Sequence, residues 1–185
     1  MKKLLTITLC SFLISCGINK NQSEFDKVTI DNKLNSNLFN SSEYMLNPLT
    51  LKTESGYDNV PDSTQYIIQS NAIVNKDSFR LMRFAELKRI NPDTLELTIY
   101  ETNPEYSQNL TITIANNEFK TEFEYVISGP PIEPKIKKIA QKLTVKSIPK
   151  QKGEMIFGKF YFKGLCVSDC TGEVEIEGDF KAELK

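Results

Sequence analysis

Cysteine is the residue type whose possible roles the sequence narrows most. The 185 residues include four cysteines and no histidine. Cys10 and Cys16 lie in or just after an apolar N-terminal run, and Cys166 and Cys170 lie near the C-terminus. Without an imidazole base there is no Ser-His or Cys-His nucleophile pair, and a structural zinc site would need four Cys or His ligands. The cysteines therefore predict covalent and structural roles rather than catalysis or metal binding.

Carboxylates are the other side chains that could do chemistry, because a pair of them can hydrolyse a glycosidic bond. The acidic row consists of Glu173, Glu175, Glu177 and Asp179. These residues alternate along a predicted strand and face lysines, which is typical of a solvated sheet face with cross-strand ion pairs. The chain also lacks a glycine-rich phosphate loop and a GxSxG elbow. We expect no enzyme and no cofactor, and a carboxylate-based hydrolase is the remote alternative.

The N-terminus carries the clearest statement about location. Lys2 and Lys3 precede an apolar run at residues 4–14, which has the length of a secretory signal and is too short to span a bilayer. The run ends in LISC at residues 13–16, and this motif resembles the lipobox of bacterial lipoproteins. The resemblance implies cleavage after Ser15 and acylation of Cys16. The alternative is an ordinary signal peptide that happens to contain a cysteine.

These features divide the chain into three parts. Residues 1–15 are the predicted signal peptide, residues 16–24 a lipidated tether, and residues 25–185 a single β-domain. The expected location is the outer membrane of a cell envelope, with the periplasmic or surface face left open, and the membrane is the first expected partner. The formal charge of −1 is dispersed, so no basic face for nucleic acid is expected.

Residues 154–184 alternate between apolar and polar so regularly that they predict one long β-hairpin. Because an exported chain meets an oxidising compartment, we expect a disulfide between Cys166 and Cys170 at its tip. Two free thiols or half of a metal site are the alternatives. With Cys166 opposite Cys170, the opposite pairs are Phe160 with Ile176, Gly158 with Gly178, Lys163 with Glu173 and Lys159 with Glu177.

The rest of the chain shows short alternating runs with turn signals every dozen residues or so. This pattern predicts an all-β domain of about eight or nine strands, either an antiparallel sandwich or a barrel. Ile136, Ile139, Ala140 and Leu143 follow at helical spacing, so one short helix is expected near residues 134–141. A loop that leads into a strand is the alternative for this segment.

One surface of the hairpin stands out as a candidate site. Phe157 and Tyr161 fall on the polar face of the first arm, beside Lys159 and Lys163. Aromatic side chains on a wet face can stack on a sugar or contact a partner. We therefore expect these four residues to form a surface for a small ligand or a partner protein. The alternative is that a second sheet or residues 128–141 cover the aromatic side chains.

The C-terminal third resembles a known group of proteins. FGKFYFKG at residues 157–164 and GEVEIEGDFKAEL at residues 172–184 follow the strand KLTVKSI. Together with the lipobox, this pattern resembles small lipoproteins of Bacteroidota-type bacteria, whose β-domain, sometimes described as lipocalin-like, has no known function. The resemblance implies architecture and no catalytic residues. Two hypotheses follow: a non-enzymatic lipoprotein that binds a small apolar or glycan ligand or a partner, and a purely structural lipoprotein that binds another envelope protein.

Overall fold

A computed structural model describes residues 24–37, 45–46, 66–102, 106–127 and 134–185. The predicted signal peptide and Cys16 lie outside the described residues, as does the tether except for Glu24. Every regular element in the described part is a β-strand. The strands are β1 (Asp26–Lys27), β2 (Thr29–Ile30), β3 (Met45–Leu46), β4 (Tyr66–Ile67), β5 (Ala72–Val74), β6 (Asp77–Met82), β7 (Phe84–Asn91), β8 (Thr94–Thr102), β9 (Tyr106–Ala115), β10 (Glu118–Ile127), β11 (Lys135–Val145), β12 (Met155–Ser168) and β13 (Glu173–Glu183).

Two sheets form the domain. Sheet A has the order β1-β10-β9-β8-β7, and sheet B has the order β2-β11-β12-β13-β5-β6. Neighbouring strands run antiparallel except β2 and β11, which are parallel. The predicted all-β fold is confirmed, and of the two expected architectures the described strands form the sandwich. Eight strands, β6 to β13, have six or more residues, which agrees with the expected number.

The core lies between the sheets and follows from the alternation of each strand. In β8, for example, Leu95, Leu97 and Ile99 are buried while the residues between them are only partly buried. Burial of such side chains is the main favourable term in folding, at roughly 25 cal/mol per Å² of apolar surface. The largest fully buried side chains are Phe119, Phe162, Phe180, Met82, Leu87, Leu97, Ile99, Leu110, Ile112, Leu143 and Ile156.

Both sides of the sandwich are joined by chain that crosses from one sheet to the other. The first crossing is at Val28, between β1 and β2, and the second is at Arg83, between β6 and β7. The Val28 amide donates to the Asn117 carbonyl at 2.9 Å, and the amides of Gln69 and Ser70 donate to the Arg83 carbonyl at 2.8 and 3.0 Å. These crossings satisfy backbone groups where sheet edges would otherwise end.

The terminal hairpin forms, but its predicted register is wrong by two residues. Gly158 lies opposite Phe180 and Phe160 lies opposite Gly178, and Cys166 does not lie opposite Cys170. Gly158 provides the space that the opposite ring needs, because a Cβ atom there would contact the Phe180 ring, with Cε1 at 2.7 Å. Gly178 instead leaves space for Ala72 of the neighbouring strand β5, whose backbone nitrogen would lie 2.8 Å from a Cβ atom. A shift of two residues keeps every side chain on its predicted face. The alternation therefore predicted the faces correctly and left the register open.

The helix expected near residues 134–141 is also wrong, because this segment belongs to strand β11. The register between β11 and β12 shifts between Lys138 and Ala140. Such a bulge changes the phase of the alternation, so that the inward Ile136 and Leu143 fall seven positions apart, about two helical turns, with the exposed Ile139 between them. The spacing of Ile136, Ile139, Ala140 and Leu143 therefore imitates a helix.

Candidate functional site

The four residues of the predicted surface lie together on the outer face of sheet B. Lys159 is exposed, and Phe157, Tyr161 and Lys163 are partly buried. Lys163 pairs with Glu173 at 2.7 Å, and Lys159 pairs with Asp179 at 3.7 Å. The Glu173 carboxylate accepts a hydrogen bond from Lys163 and thereby raises the pKa of that lysine. The charges of this surface are therefore compensated within the hairpin.

The aromatic side chains of this surface are not covered by sheet A, which packs on the opposite face of sheet B. Instead, the loop at residues 31–37 lies beside Phe157, where Leu34 and Asn35 help to line a depression of about 270 Å³. The Lys146 ammonium donates to the Ser36 hydroxyl at 3.1 Å and holds this loop. Partial burial, followed by the nearby Glu175 carboxylate, raises the pKa of Tyr161.

The acidic row of β13 agrees with its interpretation as a solvated sheet face with ion pairs to the neighbouring strand. Glu173 and Asp179 form the two ion pairs with the lysines of β12, and Asp179 accepts a hydrogen bond from the Asn71 side chain at 3.4 Å. In the described part of the chain, no group of three or more acidic, cysteine or histidine side chains could hold a metal ion.

Cys166 and Cys170 form the predicted disulfide, with 5.6 Å between their Cα atoms. The bridge lies within the turn rather than across the two arms, because Cys166 donates its amide to the Gly172 carbonyl at 3.0 Å. Asp169 and Gly172 take the left-handed conformation that the tight turn needs, with φ of 60° and 82°. The disulfide thus shapes the loop that connects the two longest strands.

A cavity of about 300 Å³ lies between the sheets at the end of the sandwich where the disulfide turn is found. We call it the end cavity and call this end of the sandwich the open end. Its apolar walls are Val74, Phe123, Tyr125, Ile136 and Val174, and its polar lining includes Asn75, Arg80, Gln108, Asp169, Thr171 and Glu173, with Cys170 and Pro134 beside them. Sequence reasoning did not identify this site.

Gln108 is the distinctive residue of the end cavity. Its side chain has no exposed surface, and its Nε2 donates a long hydrogen bond of 3.4 Å to the Leu81 carbonyl. Its Oε1 is buried and has no hydrogen-bond partner among the described residues; Gln141 Oε1 is the other such atom there, but Gln141 does not line the cavity. A buried acceptor left unsatisfied costs about 1–3 kcal/mol. Gln108 therefore places an unsatisfied acceptor in the wall of the cavity.

A buried ion pair lies next to Gln108. Glu101 is directly opposite Gln108 in the pairing of β8 and β9, and it is 1% exposed. Its carboxylate accepts two hydrogen bonds from the Arg83 guanidinium, at 2.8 Å from Nε and 3.1 Å from Nη2. The interior at the open end is therefore polar, because Glu101 and Gln108 occupy inward positions there.

Arg80 lies at the mouth of the cavity. Its guanidinium carbon is 5.3 Å from the centre of the Tyr125 ring, a distance at which a cation is attracted to an aromatic face. The ring of Tyr125 in turn lies 6.1 Å from that of Tyr106. Arg80 is also 3.7 Å from the Asp77 carboxylate, and about 42% of its side chain is exposed. A ligand that enters the cavity therefore meets an aromatic wall with a cation beside it.

The sequence does carry a signal for this site. Gln108 continues the inward series Leu110, Ile112 and Ile114, and Glu101 continues the corresponding series in β8. A polar side chain in the apolar phase of a strand is costly unless it is paired or functional. The opposite end of the sandwich has a depression of about 320 Å³, lined by turn residues such as Asn116 and Asp93. In the described residues no buried unsatisfied side-chain atom lies in that lining.

Comparisons with known proteins found no match among protein families, curated proteins or solved structures. Among the described residues, no helix has the length and apolar character needed to cross a membrane.

Proposed function

We propose that this protein is a lipid-anchored protein of the cell envelope whose β-sandwich binds a small, mostly apolar ligand in the end cavity. The protein is not an enzyme in this proposal, and it recognises its ligand through one hydrogen bond to Gln108. The observation that carries the proposal is the buried Oε1 of Gln108, which faces no partner among the described residues and belongs to the cavity lining.

The size and lining of the cavity define the ligand class. Small-molecule sites range from roughly 300 to 1,000 Å³, so a volume of about 300 Å³ suits a ligand at the small end of that range. Val74, Phe123, Ile136 and Val174 offer the ligand no hydrogen bonds, which favours an apolar body over a glycan. The ligand class is therefore an apolar molecule with one N–H or O–H donor.

The lipobox-like sequence supports the location. Acylation of Cys16 would place several acyl chains on one residue, which gives stable anchoring where a single chain would give only weak binding. The proposed location is the outer membrane, and the anchor keeps the cavity near a lipid surface. Metabolic labelling with a palmitate analogue, with Cys16→Ala as the control, tests this part of the proposal separately.

Ligand binding is tested with N-phenyl-1-naphthylamine, a fluorescent probe with an apolar body and a single N–H donor. The protein for this test begins at residue 16 and carries Cys16→Ser, so that every described residue is present and lipid is absent. We expect saturable binding. Val174→Trp fills the cavity and should weaken binding by at least about tenfold, because overpacking such a site costs roughly 1–3 kcal/mol.

Val126→Trp is the matched control, since Val126 is also a strand valine but is 47% exposed. It should bind the probe like the unsubstituted protein. Circular dichroism of both variants checks that they fold. If the protein does not bind the probe, or if the two tryptophan variants weaken binding equally, the cavity is not a ligand site and the structural hypothesis is favoured.

A further inference from the structure

An uninterrupted basic run follows the middle of the chain. Residues 134–153 contain seven lysines and no acidic residue. Most of the run forms β11, and only β2 pairs with the outer edge of β11 among the described residues, at Thr144 and Val145. A strand of one charge sign along one side of the domain is a marked asymmetry in a chain whose charges are otherwise dispersed.

Three lysines of β11 are exposed and, within the described residues, unpaired. Lys135, Lys137 and Lys142 are exposed and form no ion pair with the residues that the structure describes. The neighbouring Lys138, by contrast, pairs with the Asp26 carboxylate at 3.1 Å. This differs from the predicted surface on β12, where Lys159 and Lys163 are compensated. These unpaired lysines therefore lie on β11, one strand away from the predicted surface on β12.

Exposed apolar side chains accompany these lysines. Lys137 lies opposite Leu165 in the pairing of β11 and β12, and Leu165 is 42% exposed. Val167, two residues further along β12, is 57% exposed. We call the set Lys135, Lys137, Lys142, Leu165 and Val167 the basic stripe. Lysines with exposed aliphatic side chains between them are typical of surfaces that meet the headgroup region of a bilayer.

The chain enters the domain at the edge of β11, the strand that carries the lysines of this stripe. The Glu24 carbonyl accepts hydrogen bonds from Lys138 Nζ at 2.8 Å and from Gln141 Nε2 at 3.1 Å, so Glu24 lies against β11. The eight residue steps from Cys16 to Glu24 span at most about 28 Å when fully extended. A lipid on Cys16 would therefore hold β11 close to the bilayer and give the stripe a high effective concentration there.

We propose that the basic stripe docks the domain on an anionic lipid bilayer through the phosphate groups of the lipids. This inference rests on the proposed lipid anchor, and the position of Glu24 against β11 together with the short length of the tether selects a membrane over other acidic partners. Each lysine near an anionic bilayer is attracted to it, and Leu165 and Val167 can enter the interface. Docking would also bring the disulfide turn, which lines the end cavity, next to the bilayer. The membrane could then supply the apolar ligand directly.

The test uses the protein from residue 16 with Cys16→Ser, so docking is measured without the anchor. Binding is measured as the fraction of protein that floats with lipid vesicles. One set of vesicles contains phosphatidylglycerol mixed with phosphatidylcholine, and the other contains phosphatidylcholine alone. We expect binding to the anionic vesicles only, and its loss at high salt because salt screens the charges. The triple variant Lys135→Gln, Lys137→Gln, Lys142→Gln should lower the partition coefficient on the order of 100-fold.

The triple variant Lys33→Gln, Lys76→Gln, Lys88→Gln is the matched control, because it removes the same charge from exposed positions elsewhere. Its partition coefficient should be close to that of the unsubstituted protein. Equal losses in the two triple variants, equal binding to both kinds of vesicle, or no binding to anionic vesicles at low salt would overturn the inference. Probe binding and lipidation are measured separately, so their failure would be recognised as failure of the proposed function.

Discussion

The two ends of the sandwich are built from the same strands and differ in how their polar groups are satisfied. At the end opposite the end cavity, which we call the closed end, Arg89 donates to the Pro92 and Lys150 carbonyls, both at 2.9 Å. Backbone hydrogen bonds there join Gly153 to Leu184 at 2.8 Å and Leu184 to Glu154 at 2.9 Å. At the open end, a buried glutamine oxygen has no such partner.

The interior changes in the same direction. Towards the closed end, the inward positions of β8 and β9 are the apolar residues Leu95, Leu97, Ile112 and Ile114, although the neighbouring β10 places the buried Thr121 opposite Ile112. Towards the open end the same alternation reaches Glu101 and Gln108. Polar groups placed in an inward phase weaken a core, and proteins keep such groups where they serve a site. This contrast supports the proposal that the open end binds a ligand.

The largest expected effect concerns the ion pair at the open end. Glu101→Gln removes the charge that compensates Arg83, whose side chain is 12% exposed, and breaking such a buried pair costs about 3–5 kcal/mol. Glu96→Gln is the control on the same strand, because its pair with Lys88 is partly exposed and should contribute no more than about 1 kcal/mol. Urea unfolding measures both. Equal losses of unfolding free energy in the two variants would show that the Arg83–Glu101 pair contributes no more to stability than a partly exposed pair.

A smaller effect concerns the closed end and depends on pH. The Glu154 carboxylate accepts hydrogen bonds from the amides of Lys150 at 2.6 Å and Gln151 at 3.3 Å, and these lower the pKa of Glu154 in the folded state. A lowered folded-state pKa means that the stabilisation is present above the unfolded pKa of about 4.3 and is lost as the pH falls through the folded value.

Glu154→Gln should therefore lower the urea midpoint slightly at neutral pH and leave it unchanged in acid. The measurement is the difference in urea midpoint between the variant and the unsubstituted protein across this pH range. A difference that does not shrink as the pH falls through the folded-state pKa would show that the carboxylate does not act through these hydrogen bonds.

The alternation of apolar and polar residues was sufficient to predict the all-β fold, the strands and the faces of the terminal hairpin. It did not define the register, because a shift of two residues keeps the same faces and the choice depends on contacts between strands, such as the Phe180 ring over Gly158 and Ala72 against Gly178. The segment with the bulge near Ala140 resembles a helix in sequence for a related reason, because a local change of phase in the alternation produces the spacing of a helix. Both errors come from contacts between strands, which one strand's sequence does not contain.

The site was less predictable than the fold. The surface expected on β12 is present, but Lys159 and Lys163 are paired with acidic residues of the neighbouring strand. The end cavity depends on Gln108 from sheet A and Val174 from sheet B, which are distant in sequence and meet only through the packing of the two sheets. It was not identified from the sequence, where the only signal is Gln108, a polar residue in the apolar phase of β9.

The most direct test of the open end is nuclear magnetic resonance during titration with N-phenyl-1-naphthylamine. The account predicts that the side-chain amide of Gln108 and the methyl groups of Val174 shift as the probe saturates. The methyl groups of Leu95 and Ile114 at the closed end should stay in place. Shifts confined to the closed end, or probe binding without any change at Gln108, would contradict the assignment of the end cavity as the ligand site.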